Sequence, residues 1–193
     1  MSNPFIKKQL DFIVRNIGLT DIYEIDKIRY GLEVFYGETS KFIVMILISL
    51  ILDKLSAFIL MITLLMLIRP YIGGSHAKSY FSCMIQSNLS FLIIYYLAYI
   101  IPKINIFINA IFVLFCIIVA RTFKPVNPLR NTVITQYKRI KFKDIVTIIL
   151  IFWFILSNLF LSTYYKNCGL LIILYIFLDF LKEVYKNEKK VSS

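Results

Sequence analysis

The chain has 193 residues, 59% of them hydrophobic against about 45–50% for a soluble domain, and its mean hydropathy is +0.76, which points to a membrane protein. Six Gly and five Pro beside seventeen Phe and thirteen Tyr exclude collagen-like and low-complexity architectures, and no internal repeat is visible, so 1–193 reads as a single integral membrane domain. The formal charge of +11, from 22 Lys and Arg against 11 Asp and Glu, clusters between apolar runs rather than along one soluble face; membrane topology accounts for it and no nucleic-acid partner is expected.

Residues 1–41 carry apolar positions at helical spacing (Leu10, Ile13, Val14, Ile17; then Ile22, Ile25, Ile28, Leu32, Phe35) separated by charges, the pattern of amphipathic helices. The stretch Gly18-Leu19-Thr20-Asp21 breaks the period, and Thr20 or Asp21 can cap the second helix. Such helices lie against the inner leaflet or pack on the membrane bundle. The opening forty residues lack a basic start followed by an apolar core, so no cleavable signal peptide is expected and the N-terminus stays cytoplasmic.

Apolar runs follow at 42–52, 55–68, 84–101, 104–120, 145–161 and 170–181. The third, fourth and fifth are long enough to cross, given about 20 residues for a typical span and about 17 at the short end. The sixth crosses if it recruits Cys168 and the stretch through Val184, with Lys182 snorkelling to the interface. The first two are too short individually; separated by Asp53-Lys54, they form either a short hairpin, which spans or re-enters, or one long helix interrupted by two charges. Positive-inside counting chooses between these. In the hairpin reading the inner segments 1–41, 69–82, 121–143 and 182–193 hold 6, 2, 7 and 4 Lys or Arg, and the outer segments hold only Lys54, Lys103 and Lys166. The expected architecture is therefore all-α and polytopic: amphipathic helices at 1–41, a bundle of six membrane segments at 42–181, and a cytoplasmic tail at 182–193. Both termini and the loop 69–83 then face the cytoplasm.

Three cysteines, Cys83, Cys116 and Cys168, make an odd count without CxxC spacing, so neither a disulfide framework nor a Cys-rich zinc site is supported. With one histidine in the chain, a two-histidine metalloprotease motif is excluded, and no metal or cofactor is expected. The informative stretch is 69–83, Arg69-Pro70-Tyr71-Ile72-Gly73-Gly74-Ser75-His76-Ala77-Lys78-Ser79-Tyr80-Phe81-Ser82-Cys83. A cysteine nucleophile needs thiolate character, which an imidazole supplies by taking the proton and later returning it to a leaving amine. The bland alternative is a solvated juxtamembrane histidine and a small apolar cysteine. On an unbroken helix seven residues would separate His76 and Cys83 by about 10.5 Å, too far for a hydrogen bond, so the helix must be interrupted between them. Pro70, Gly73 and Gly74 allow a turn, and a helix starting near Ser82 or Cys83 would put the sulfur at its N-terminus, where the dipole favours the thiolate; Arg69 and Lys78 add to that.

Beyond it, Cys83, Gln86, Ser87 and Ser90 share one helical face. They line a polar cleft in which Gln86 stabilises an oxyanion, or else they make interhelical hydrogen bonds. Cys116, inside a span, and Cys168, near the outer surface, read as structural. Asn88 and Glu33 are both conceivable partners to orient His76, and spacing favours neither.

The order and spacing of Arg69, Gly74, His76-Ala77, Ser79, Phe81 and Cys83 resemble the accessory gene regulator B (AgrB) family of membrane cysteine endopeptidases in peptide quorum sensing. The resemblance extends upstream through Lys27-Ile28-Arg29-Tyr30-Gly31-Leu32-Glu33-Val34 and Lys41-Phe42-Ile43-Val44-Met45. It implies that Cys83 is the nucleophile and His76 its general base and acid, with Arg69, Gly74 and Ser79 in support. It further implies a bacterial cell-membrane location, a homodimer, and an AgrD-like propeptide as substrate. That peptide loses its acidic C-terminal tail through a Cys acyl-thioester and cyclises to a thiolactone or lactone autoinducing peptide. Where the family has a Pro- and Lys-rich inner loop, this chain reads Lys124-Pro125-Val126-Asn127-Pro128-Leu129, a shorter version to which family roles do not transfer. The seven Lys and Arg of 121–143 either attract the acidic tail or only enforce topology.

The alternative of a different class is a non-catalytic small transporter or accessory subunit. A transporter has no need of a reactive thiolate and places ionisable residues at mid-membrane, whereas here, Asp53-Lys54 apart, charges are expected only at the ends of spans.

Overall fold

Local sequence sets where the helices start and stop. The computed structural model describes residues 4–74, 80–126 and 136–191, and these form seven α-helices: α1 (Pro4–Ile17), α2 (Ile22–Ile51), α3 (Leu55–Ile72), α4 (Tyr80–Ile100), α5 (Ile106–Thr122), α6 (Gln136–Leu159) and α7 (Thr163–Val191). Two compact units divide the chain, Met1–Asp53 and Lys54–Ser193.

The first unit holds α1 and α2. Gly18, at φ +67°, ends α1, and the Asp21 carboxylate accepts the Tyr23 backbone N–H at 3.0 Å, satisfying one of the orphan donors that open α2. Of the two candidate caps, Asp21 is the one used. Tyr36 ties the helices together: its hydroxyl donates to Gln9 Oε1 at 2.7 Å and its ring meets Phe5 edge-on at 5.3 Å. The chain passes from amphipathic to apolar inside α2, which runs 30 residues without a break at residue 41.

In the second unit α7 packs against α3 and α4, while α6 packs against α5 and α3. The core is aliphatic and aromatic: Phe58, Met61 and Ile68 of α3, Leu150 and Trp153 of α6, and Ile172, Ile173, Phe177 and Phe180 of α7 are all essentially buried. The Phe58 ring lies tilted 5.6 Å from that of Phe91 of α4, and Tyr71 meets Phe142 of α6 edge-on at 5.5 Å. Polar side chains join the helices at the other end: Asn167 Nδ2 donates to the Ile101 carbonyl at 2.8 Å, and Lys166 Nζ to Asn158 Oδ1 at 2.6 Å.

One expectation from sequence is corrected. The runs 42–52 and 55–68 are short only as uninterrupted apolar stretches; they belong to helices of 30 and 18 residues that continue into their polar flanks. Among the described residues, whose secondary structure is all helical, three helices are long and apolar enough to cross a membrane, α2, α3 and the Ser82–Ile100 portion of α4, and the chain is a membrane protein. Asp179 lies well inside the 29-residue α7 with its side chain only 10% exposed. The carboxylate is tolerated there because it is paired, as a buried charge must be, and its partner stands in the last turn of α3 rather than at mid-span.

Candidate active site

The site region is built on the way the chain leaves α3. Pro70 lies inside α3 without a backbone N–H to donate, yet the helix continues two residues to Ile72. Gly73 then ends it: its N–H donates to the Arg69 carbonyl at 2.9 Å while its backbone takes φ +85° and ψ −165°, a region open in practice only to glycine. The turn is pinned from outside as well. Val126, just beyond α5, donates its N–H to the Ile72 carbonyl at 3.0 Å, so closely that a Cβ on Gly73 would lie 1.5 Å from the Val126 carbonyl oxygen.

One residue further, Gly74 is packed over an ion pair. Arg69 Nη2 stands 3.4 Å from Asp179 Oδ2, the guanidinium one-third exposed and the carboxylate nearly covered. A Cβ on Gly74 would fall 2.7 Å from Asp179 Oδ2 and 3.2 Å from Arg69 Nε. Leu65, Gly73, Tyr175 and Ile176 complete a narrow crevice around the pair. Arg69 and Gly74, linked in the sequence reading only by their order, are thus brought into contact by a third residue 110 positions away.

Of the other expected site residues, His76 and Ser79 lie outside the described residues, as does Lys78. Cys83 is the fourth described residue of α4. The break expected between His76 and Cys83 falls on residues 75–79, outside the described residues. Cys83 is partly exposed, whereas Cys116 and Cys168 are buried, at 1% and 0% exposure, in keeping with their structural reading. One turn on, the Gln86 side chain is exposed. Ser90 and Asn88 are spent on their own helix: Ser90 Oγ donates to the Gln86 carbonyl and Asn88 Nδ2 to the Met84 carbonyl, both at 2.8 Å. Asn88 therefore already has a partner other than His76.

Six residue steps connect Gly74 to Tyr80, so these two ends stand at most about 22 Å apart, and α7 packs on both α3 and α4. Nearby charge is basic but partly neutralised. Arg121, at the end of α5, pairs with Asp144 at 3.0 Å, and Lys143 donates its ammonium to the Arg121 carbonyl. At the opposite end of the unit, burial pushes the Lys166 amine below its ordinary value, with the Lys103 charge adding to the effect. Among the described residues no three His, Cys, Asp or Glu side chains stand together as a metal site would need.

Sequence reasoning missed Asp179 and Val126. The first had a signal, a lone carboxylate in the otherwise apolar run 170–181; the second, which contributes only its backbone, had none.

Residues 6–181 match the family described as Accessory gene regulator B. The chain is also 30% identical over 173 residues to an AgrB-like protein of Clostridium beijerinckii, a similarity covering 87% of this chain and 81% of that relative. No solved structure matches it.

Proposed function

The chain belongs to the accessory gene regulator B family, and from that premise we propose that it is a membrane cysteine endopeptidase that cuts the acidic C-terminal tail from an AgrD-like propeptide. Membership itself carries a part in agr peptide quorum sensing and an AgrD-related partner. In the proposed reaction His76 takes the Cys83 thiol proton and the thiolate attacks the carbonyl at the tail junction. The C–N bond breaks as the proton passes to the leaving amine, which departs with the tail and leaves the N-terminal part as an acyl-thioester on Cys83. A cysteine of the bound peptide then attacks that thioester, releasing the Cys83 thiol and closing a thiolactone; a hydroxyl in its place gives a lactone. Water attacking the same intermediate would give a linear product, so the site must hold the peptide nucleophile close and keep water away.

The observation that carries this reading is the exposure of Cys83: of the three cysteines it alone is partly exposed, and the other two are buried. Arg69 and Gly74 support the site from the end of α3, and Gln86, exposed one turn beyond Cys83, is the proposed donor to the oxyanion. Six membrane segments, inward termini, a cytoplasm-facing Cys83 and a homodimer are part of the same proposal, which rests on charge pattern and family. The basic charges of 121–143 would draw the acidic tail to this face.

Co-expression with a propeptide encoded beside the gene, read by mass spectrometry of the released tail, tests the reading. Cleavage by wild type that disappears in Cys83→Ala and in His76→Ala at equal membrane levels is the expected result. Cleavage surviving Cys83→Ala would overturn it.

A further inference from the structure

We propose that Asp179 is the positioning residue of this active site: through Arg69 and against Gly74, it sets the direction in which the chain leaves α3 toward His76. The inference deepens the peptidase reading and rests on it.

A carboxylate inside an apolar helix is a costly way to join two helices, since a well-packed apolar pair of similar volume usually does so as well or better. Asp179 stands against both Arg69 and Gly74. Its Oδ2 stands 3.4 Å from Arg69 Nη2, longer than a tight charged hydrogen bond, so attraction between the two charges in a poorly hydrated crevice holds the guanidinium. The same oxygen lies where a Cβ on Gly74 would come within 2.7 Å, so the carboxylate is also a wall against which residue 74 is seated. Between these contacts, the Arg69 carbonyl accepts the Gly73 N–H, and the Ile72 carbonyl accepts the Val126 N–H. The stretch 69–74 is thus held from α7 on one side and from the segment after α5 on another, immediately before the segment that carries His76. Because α7 packs on both α3 and α4, Asp179 belongs to a helix shared by the Arg69/Gly74 half of the site and the Cys83 half.

The test uses the full chain in detergent with its propeptide, measuring kcat and KM for tail release and, without any substrate, the rate at which N-ethylmaleimide alkylates Cys83 at neutral pH. Asp179→Asn, at wild-type membrane level and elution volume, is expected to lower kcat tenfold or more with KM within twofold and to slow Cys83 alkylation, with Asp179→Glu recovering part of both. Wild-type kcat and alkylation rate in Asp179→Asn would overturn the proposal. Should Asp179→Asn fail to accumulate, Asp179→Glu, which keeps the charge and displaces it by one methylene, is read alone: a lowered kcat with slowed alkylation supports positioning, and wild-type values of both overturn it. A wild-type protein that releases no tail would overturn the peptidase reading instead, and the alkylation rates would still judge Asp179 on its own.

Discussion

Replacing Gly73 with alanine tests the architecture of the α3 exit directly. At φ +85° and ψ −165° a residue with a Cβ bears about 1–3 kcal/mol of backbone strain. The new methyl would also lie 1.5 Å from the Val126 carbonyl oxygen and 2.6 Å from its carbonyl carbon. These are main-chain atoms, so no side-chain rotation relieves the clash; the segment must withdraw, and the Val126 N–H bond to Ile72 is lost at about 0.5–1.5 kcal/mol. Together these give roughly 2–4 kcal/mol, or roughly 30- to 1,000-fold in the balance between the pinned and released turn. Equilibrium unfolding with SDS in mixed micelles reads the stability, and tail release by the same sample reads the activity. The adjacent change, Gly74→Ala, provides the contrast: its methyl meets side-chain ends, Asp179 Oδ2 and Arg69 Nε, which can shift. It should cost less stability than Gly73→Ala yet depress tail release as strongly. A Gly73→Ala protein that unfolds at the wild-type midpoint would refute the reasoning.

Three further predictions follow from burial and charge. Brief treatment of the folded protein with a maleimide should label Cys83 first, with Cys116 and Cys168, at 1% and 0% exposure, labelled only after unfolding; peptide mass spectrometry that finds either of these labelled first would contradict the assignment. Burial lowers the Lys166 amine, so between that lowered value and the ordinary one for lysine the unfolded chain binds more protons than the folded chain, and stability must rise with pH across this window. The difference in unfolding free energy between wild type and Lys166→Met, followed over alkaline pH, should show that rise, and a flat difference would refute it. Finally, if the basic segment steers the acidic tail, raising salt toward about 1 M, where the screening length falls to about 3 Å, should increase KM several-fold with kcat unchanged. A salt-independent KM would leave those charges to topology alone.

What the sequence determined by itself is what local properties can carry. Apolar runs between basic clusters specify a helical membrane protein because hydropathy sums over neighbours in the chain. Gly18 and Asp21 announce a helix end and a cap within four residues of each other. The order Arg69, Gly74, His76, Cys83 carries the resemblance to the family and with it the proposed site, and the requirement for a break before Cys83 follows from the rise of a helix alone. Helix length was harder to read: α2 and α3 outrun their apolar cores, since a helix continues as long as its backbone bonds do, through polar flanks and even past Pro70. What only the tertiary structure decided is what meets across the fold. Asp179 reaches Arg69 because α7 packs on α3, and Gly73 and Gly74 must be glycines because Val126 and Asp179, distant in sequence, occupy the space a Cβ would need. Those contacts depend on where whole helices lie, which no window of neighbouring residues records.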